Sequence, residues 1–208
     1  IIRPTDETVT STPRSETGRS ARRREQRRQL LIAAAQDQLG EAGLAATTLA
    51  SVGERVGLSK GALYYYVDSR DSLFALVLDD LLASIRTDAA VRAGDDPAPL
   101  DELVAFARAH VHAAIEQPAG PLIVSNVDEL ATHPPSAEVL HDHEMSARRL
   151  IARAVDAGDL RAIHPVVAST VFFGALNTLC RTYDDGGELG LDEMIDAALD
   201  LLLAGWRA

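Results

Sequence analysis

Apolar positions recur at helical spacing along most of the chain. Leu31, Ala35 and Leu39 fall at i, i+4 and i+8, one face of an α-helix. That helix is expected from about Ala21 to Glu41, with Gly43 ending it. Leu49, Val52 and Val56 repeat the pattern at i, i+3 and i+7. Thr47 or Thr48 can cap this second helix, because a hydroxyl accepts an orphan amide bond there. Gly57 stops it, since a left-handed residue costs least without a Cβ. Ser59 caps a third helix carrying Lys60, Ala62, Leu63, Tyr64, Tyr65 and Tyr66. Ser69 caps a long fourth helix to about Arg92, with Leu73, Val77, Leu81 and Ile85 among the positions on one side.

The segment AGDDPAP, residues 93–99, breaks the pattern. Leu100 to Glu116 predicts a fifth helix. Leu122 to Ala131 has strand-like propensity in LIVSNV, but no second strand-like run exists to pair with it, so a helix is expected. Thr132 to Pro135 is read as a break, with Ser136 capping a helix to about Ala157 whose inward stripe is Leu140, His143, Ala147, Leu150 and Ala154. Pro165 opens the next helix, as proline tolerates a first helical position. Its sequence is apolar nearly all round, which implies cover on both sides. Leu191 to Trp206 predicts the last helix, with one stripe at Leu191, Ile195, Ala198, Leu202 and Gly205 and a second at Met194, Ala197 and Leu201. More apolar face than one monomer can cover suggests a subunit interface. Residues 1–20, rich in Thr, Ser and Pro, are expected to be a disordered tail.

The stretch TTLASVGERVGLSKGALYYYVDSR, Thr47 to Arg70, reads as a helix-turn-helix. Gly53 is small where two crossing helices must approach, and Leu58 and Leu63 hold the second helix on the first. The arrangement leaves Lys60, Gly61, Ala62, Tyr64 and Tyr65 at the start and outer face of the second helix, where this motif meets bases and phosphates. The ordered set of capping Thr, Gly53, Gly57, Ser59-Lys60-Gly61, Leu63-Tyr64 and Ser69-Arg70 resembles the DNA-binding domain of the TetR (tetracycline-repressor-like) family, over about Arg22 to Leu82. Val67 stands where most members have Phe, Arg70 where many have Lys, and Gly53 where Ala is usual. The resemblance implies an all-α fold: an N-terminal three-helix helix-turn-helix domain, residues 21–68, and a C-terminal helical ligand-binding and dimerisation domain, residues 69–208.

A formal net charge of −11 over 208 residues argues against nucleic acid until its distribution is read. Residues 1–70 hold 11 basic and 8 acidic residues, and the remaining 138 hold 9 and 23. Arg19, Arg22, Arg23, Arg24, Arg27 and Arg28 fall within ten positions opposed only by Glu25. A basic head can hold phosphate while an acidic body repels non-specific contact. Lys60 is expected on a base edge or phosphate, Tyr64 and Tyr65 on phosphate and thymine methyls, and Thr48 on the backbone. Arg70 and the cluster containing Arg22 and Arg23 are expected to neutralise phosphates.

The resemblance also implies a small-molecule cavity among the middle helices. Phe106, His110, Asn126, Leu130 and His143 are placed near it, with Met145, Phe172, Phe173, Leu176 and Asn177. Of these, Asn126, His143 and Asn177 are polar amid apolar neighbours, and buried polar groups need partners. In the family the last two helices of each subunit pair into a four-helix bundle. The expected function is therefore a homodimeric transcriptional repressor, released from a palindromic double-stranded DNA operator by a small-molecule effector.

Other chemistry finds little support. Adjacent pairs His141/His143 and His110/His112 sit two residues apart, roughly 200° around a helix, so neither pair can grip one ion unaided, and no metal is expected. The single Cys180 excludes an internal disulfide and reads as a small buried hydrophobe. No nucleophile elbow, phosphate-binding glycine loop or dinucleotide fingerprint is present, so neither enzyme nor cofactor is expected. No apolar run reaches the roughly 18 residues of a membrane span, and the first twenty residues lack a signal-peptide core. A cytoplasmic protein with no membrane contact is the expectation. Two alternatives share parts of the pattern: a helical small-molecule-binding protein or enzyme whose head only looks like a helix-turn-helix, and an architectural DNA binder without sequence preference.

Overall fold

A computed structural model describes residues 14–208, with side chains from Ser20 onward. The part of the expected tail up to residue 13 lies outside the described residues. From Arg14 the chain is helical: α1 spans Arg14–Ala46 with a break at Gly43, where φ is 79°. The helix thus begins seven residues before the expected start. Its apolar stripe begins only at Leu31, but Ala, Arg, Gln and Glu upstream are good helix formers. Extending an existing helix also needs no new nucleus.

α2 (Leu49–Arg55) and α3 (Lys60–Tyr64) complete the head. Thr48 caps α2 by accepting from the Ser51 amide at 3.1 Å, and the Ser51 hydroxyl accepts from the Thr48 amide at 3.0 Å. Ser59 caps α3 through the Ala62 amide. Gly57 adopts φ 64°. Gly53 is buried, and a Cβ there would lie 3.1 Å from Leu63 Cδ2, so the crossing of α2 and α3 is set at glycine spacing. α3 is shorter than expected: Tyr65 and Tyr66 follow it in a turn.

α4 (Arg70–Ala93) starts at the Ser69 cap. Leu73, Val77, Leu81 and Ile85 are buried on one side, and Phe74, Leu78 and Leu82 on the next. Burial on both sides follows from its central place, with α1 at its N-terminal end and α5 (Pro99–Glu116) and α8 (Pro134–Asp156) along its length. The strand-like run folds as α6 (Gly120–Ser125) and α7 (Val127–Leu130). Asn126 joins them, and its Nδ2 donates to the Leu122 carbonyl at 2.7 Å. α8 begins at Pro134, two residues before its expected cap. Ser136 lies inside the first turn and is buried rather than capping.

α9 (Pro165–Thr182) packs on α5 and α8, and α10 (Leu191–Ala204) on α9 and α5. On α10 the buried stripe is Ile195, Leu199 and Leu203, continued by Trp206. Leu191, Ala198 and Leu202 are half-buried and Gly205 is exposed, so of the first expected stripe only Ile195 is fully buried, and Leu199 and Leu203 belong to neither expected stripe. All three sets are apolar, and packing against α9 and α5 selects among them. No helix among the described residues is long and apolar enough to cross a membrane.

Candidate nucleic-acid interface and interior cavity

The head offers one outward face. Lys60 and Gly61 are exposed, and Tyr64 and Tyr65 are 48% and 64% exposed despite their size. An exposed pair of large aromatics at the end of a short helix has no folding rationale, since burial would favour them by a few kcal/mol. The Lys60 ammonium lies 5.8 Å from the Tyr64 ring centre, and the Arg24 guanidinium 5.1 Å from that of Tyr65. Tyr66 packs edge-on against Tyr65 at 5.3 Å. Arg24 therefore brings the basic part of α1 to the tyrosine face, a contact that sequence spacing alone could not reveal. Arg22 and Arg23 are exposed on the same helix. Ala62 is half-buried under the face.

Two expected DNA contacts have internal work. The Thr48 hydroxyl is the α2 cap. Arg70 donates from Nε to the Thr47 carbonyl at 3.0 Å, donates from Nη2 to the Leu44 carbonyl, and lies 4.7 Å over the Phe74 ring. Its guanidinium ties the start of α4 to the α1–α2 corner, and two of its nitrogens are occupied before any phosphate arrives.

The body holds a cavity of about 310 Å³, open to solvent on one side. Leu78, Leu81, Leu82 and Ile85 of α4 form one wall, and Ile123, Val124 and Val127 another. Leu140 and His143 of α8, His110 of α5, and Phe173 and Asn177 of α9 complete the interior. Glu144, Thr170 and the exposed Asp128 also touch it. Asn177 Oδ1 accepts from His110 Nε2 at 3.0 Å, and His110 Nδ1 lies 3.2 Å from His143 Nε2. Burial pushes the His110 imidazole below its usual pKa, opposed by the bond to Asn177. Burial pushes His143 down further, aided by the neighbouring His110 and Arg86. Both rings are therefore neutral near pH 7. His143 Nδ1 is buried without a hydrogen-bond partner.

Four of the ten residues placed near a cavity line it: His110, His143, Phe173 and Asn177. The other six stand behind or beside it. Phe172 and Leu176 are buried in the core, and the Phe106 ring packs tilted against His143, 5.0 Å between centres, from outside the wall. Leu130 is core, Asn126 is the α6–α7 junction, and the Met145 sulfur sits beside Arg148. The α4 wall draws Leu81 and Ile85 from the recognised stripe and Leu78 and Leu82 from a second stripe beside it, and the sequence did not mark either pair as cavity-lining.

The histidine pairs separate as helix geometry requires: His141 is exposed and His143 buried. Among the described residues no three potential metal ligands come together. Burial pushes the Cys180 thiol up to about 11, which keeps it protonated.

These features define a helix-turn-helix head on a helical body with an interior cavity. Residues 31–77 match the model of the bacterial regulatory proteins of the tetR family, and residues 96–206 match the tetracyclin repressor-like C-terminal domain. The chain belongs to the TetR family. Among curated proteins, the HTH-type transcriptional regulator Rv1816 of Mycobacterium tuberculosis is 33% identical over 110 residues, 50% of this chain and 47% of that protein. The match thus spans about half the length of the curated relative. A TetR/AcrR-family regulator from Thermobifida fusca superposes with a TM-score of 0.60 at 25% identity, covering 88% of this chain and 100% of that one. AibR, solved with isovaleryl coenzyme A and operator DNA, superposes with a TM-score of 0.67 at 15% identity, covering 84% and 97%, a likeness of fold alone.

Proposed function

We propose that the protein is a homodimeric, sequence-specific repressor that leaves an approximately palindromic operator when a small molecule fills its cavity. The observation that carries this reading is α4. Its first residue, Arg70, is bonded to the head, and its Leu78, Leu81, Leu82 and Ile85 wall the cavity. One rigid element touches both sites. A ligand shifts the heads only as far as it binds their two arrangements unequally.

In this reading Tyr64 and Tyr65 meet bases and phosphates in the major groove, and Lys60 with Arg22, Arg23 and Arg24 neutralises phosphate. Dimerisation uses the exposed faces of α9 and α10. Val167 and Val171 are exposed on α9, and Ala197, Leu201 and Ala204 on α10, with Leu201 81% exposed. An apolar face of this kind on a single chain calls for a partner, and a second copy places two heads on a two-fold axis.

The test is selection of bound duplexes from a random library by the purified dimer. The expected product is an inverted repeat with half-sites about one helical turn apart. A folded, dimeric preparation that enriches no such repeat would refute the proposal.

A further inference from the structure

The cavity wall carries more information than its volume. Its aliphatic residues accept only an apolar body, and 310 Å³ lies at the small end of ligand pockets, which run from about 300 to 1,000 Å³. None of the residues lining it is Lys or Arg. Two carboxylates touch it instead. Glu144 Oε1 accepts from Arg148 at 2.7 Å and from the Ser169 hydroxyl at 3.0 Å. Asp128 is exposed. An anion would find no cationic side chain on the wall and would pass a carboxylate. A cation would find its free carboxylate at the solvent edge, where water screens the attraction.

The buried polar relay has a direction. Asn177 Oδ1 can only accept, so His110 Nε2 carries the hydrogen of their bond. A neutral imidazole has one N–H, so His110 Nδ1 accepts, and His143 Nε2 donates to it. His143 is then left with a lone pair on Nδ1. That ring is 4% exposed, lines the cavity, and has no partner at Nδ1. The unsatisfied atom is an acceptor, and a buried acceptor without a donor is costly.

We propose that the cavity binds an uncharged, compact, mostly apolar alcohol, whose hydroxyl donates its hydrogen to His143 Nδ1. A ketone, ester or thioester of the same shape would set a lone pair against a lone pair. The proposal rests on the reading of this cavity as the effector site, and it sharpens that reading to a ligand class.

Calorimetric titration of the full-length protein with 1-octanol, 2-octanone, octanoate and octylamine separates the chemistries at constant chain length. 1-Octanol should bind more tightly than 2-octanone by about tenfold, the worth of one satisfied buried acceptor, and octanoate should bind weakest. In His143→Phe the ring and its apolar contacts remain while the acceptor is gone, so the preference for the alcohol over the ketone should vanish. Asn177→Leu, at the half-buried end of the relay, frees both imidazoles to change tautomer and should shrink the same preference. Four results would overturn the proposal: a ketone bound as tightly as the alcohol, a charged probe bound more tightly, a preference that survives in a folded His143→Phe, or no binding of any probe at millimolar concentration. Operator release is measured separately. Alcohol binding that leaves the protein on its operator counts against the repressor reading and leaves the ligand class standing.

Discussion

The head and the cavity place their polar chemistry on opposite sides of the solvent boundary. In the head, the groups proposed to meet DNA are exposed: Lys60, Tyr64 and Tyr65, positioned by two hydroxyl caps and two glycines, joined by Arg22, Arg23 and Arg24 of α1. In the cavity, two buried histidines and the half-buried Asn177 come from three helices and are positioned by one another through the Asn177–His110–His143 relay. An exposed site can change its side chains with little effect on the fold. A buried relay cannot, because each member satisfies the next. Substitutions of the exposed face of the head, Lys60, Tyr64 and Tyr65, should therefore alter DNA affinity alone, while those in the cavity should alter stability and ligand binding together.

The largest expected effect bears on neither site directly. Leu201→Glu puts a charge on the exposed α10 face and should convert the dimer to monomer at micromolar concentration, seen by sedimentation. Helicity should be unchanged, because Leu201 makes little contact within its own chain. Operator affinity should then fall by about 100-fold or more, as the two half-sites lose their linkage. A dimer that persists would place the interface elsewhere. Leu202→Glu is the less informative variant, because Leu202 packs against the monomer core.

Tyr65→Ala should weaken operator binding by about 1–3 kcal/mol and shift the thermal midpoint little, since surface changes stay within about 0.5 kcal/mol. Equal operator affinity in variant and parent would remove the tyrosine face from the groove. Arg70 and Lys60 sharpen the contrast within the head. Lys60→Ala should lower the slope of log affinity against log salt by about 1 per head if it neutralises a phosphate. Arg70→Ala should leave that slope unchanged and cost about 1–3 kcal/mol of stability, because the Thr47 carbonyl loses its partner while the Leu44 carbonyl keeps only the Thr47 amide. A reduced slope in Arg70→Ala would restore it as a phosphate contact.

The smallest effect is on acid stability. The folded chain holds His110 and His143 below their usual pKa, while the unfolded chain titrates them near about 6.5. Below that pH the unfolded state binds protons that the folded state refuses, so stability falls as pH drops through about 6.5 and is unaffected by these groups above it. Thermal midpoints measured from about pH 8 down to pH 5 should show a shallower fall in His143→Phe than in the parent. Parallel curves would mean that His143 titrates normally.

The ease of reading these regions from sequence follows the same division. Helix caps at Thr48, Ser59 and Ser69, the left-handed Gly57 and the close approach at Gly53 are local, and each was readable from a few neighbouring residues. Helix starts marked by proline were less secure: Pro165 opened a helix as expected, but Pro134 opened one where a break was expected. The cavity depends on which of two apolar stripes each helix turns inward. On α4 both are buried, so Leu78 and Leu82 were invisible beside Leu73 and Leu81. On α8 and α9 the polar residues His143 and Asn177 stood out against apolar neighbours and do line the cavity, whereas Phe172 and Leu176 differed in no readable way from core. Arg70 shows the remaining limit: a basic residue after a recognition helix looks the same in sequence whether it meets phosphate or a backbone carbonyl.

Where α1 meets the body, Gly40 faces the Pro118 carbonyl so closely that a Cβ would lie 2.9 Å from it. Two residues beyond Pro118, Gly120 opens α6 against the end of α5, where a Cβ would lie 2.5 Å from the Ala113 carbonyl. Backbone rests on backbone at both points, with no side chain between to change rotamer and absorb a displacement. The joint has no slack. Whatever moves Ile123 and Val124 at the cavity wall must either strain this corner or carry the last turns of α1, and the head built on them, along with it.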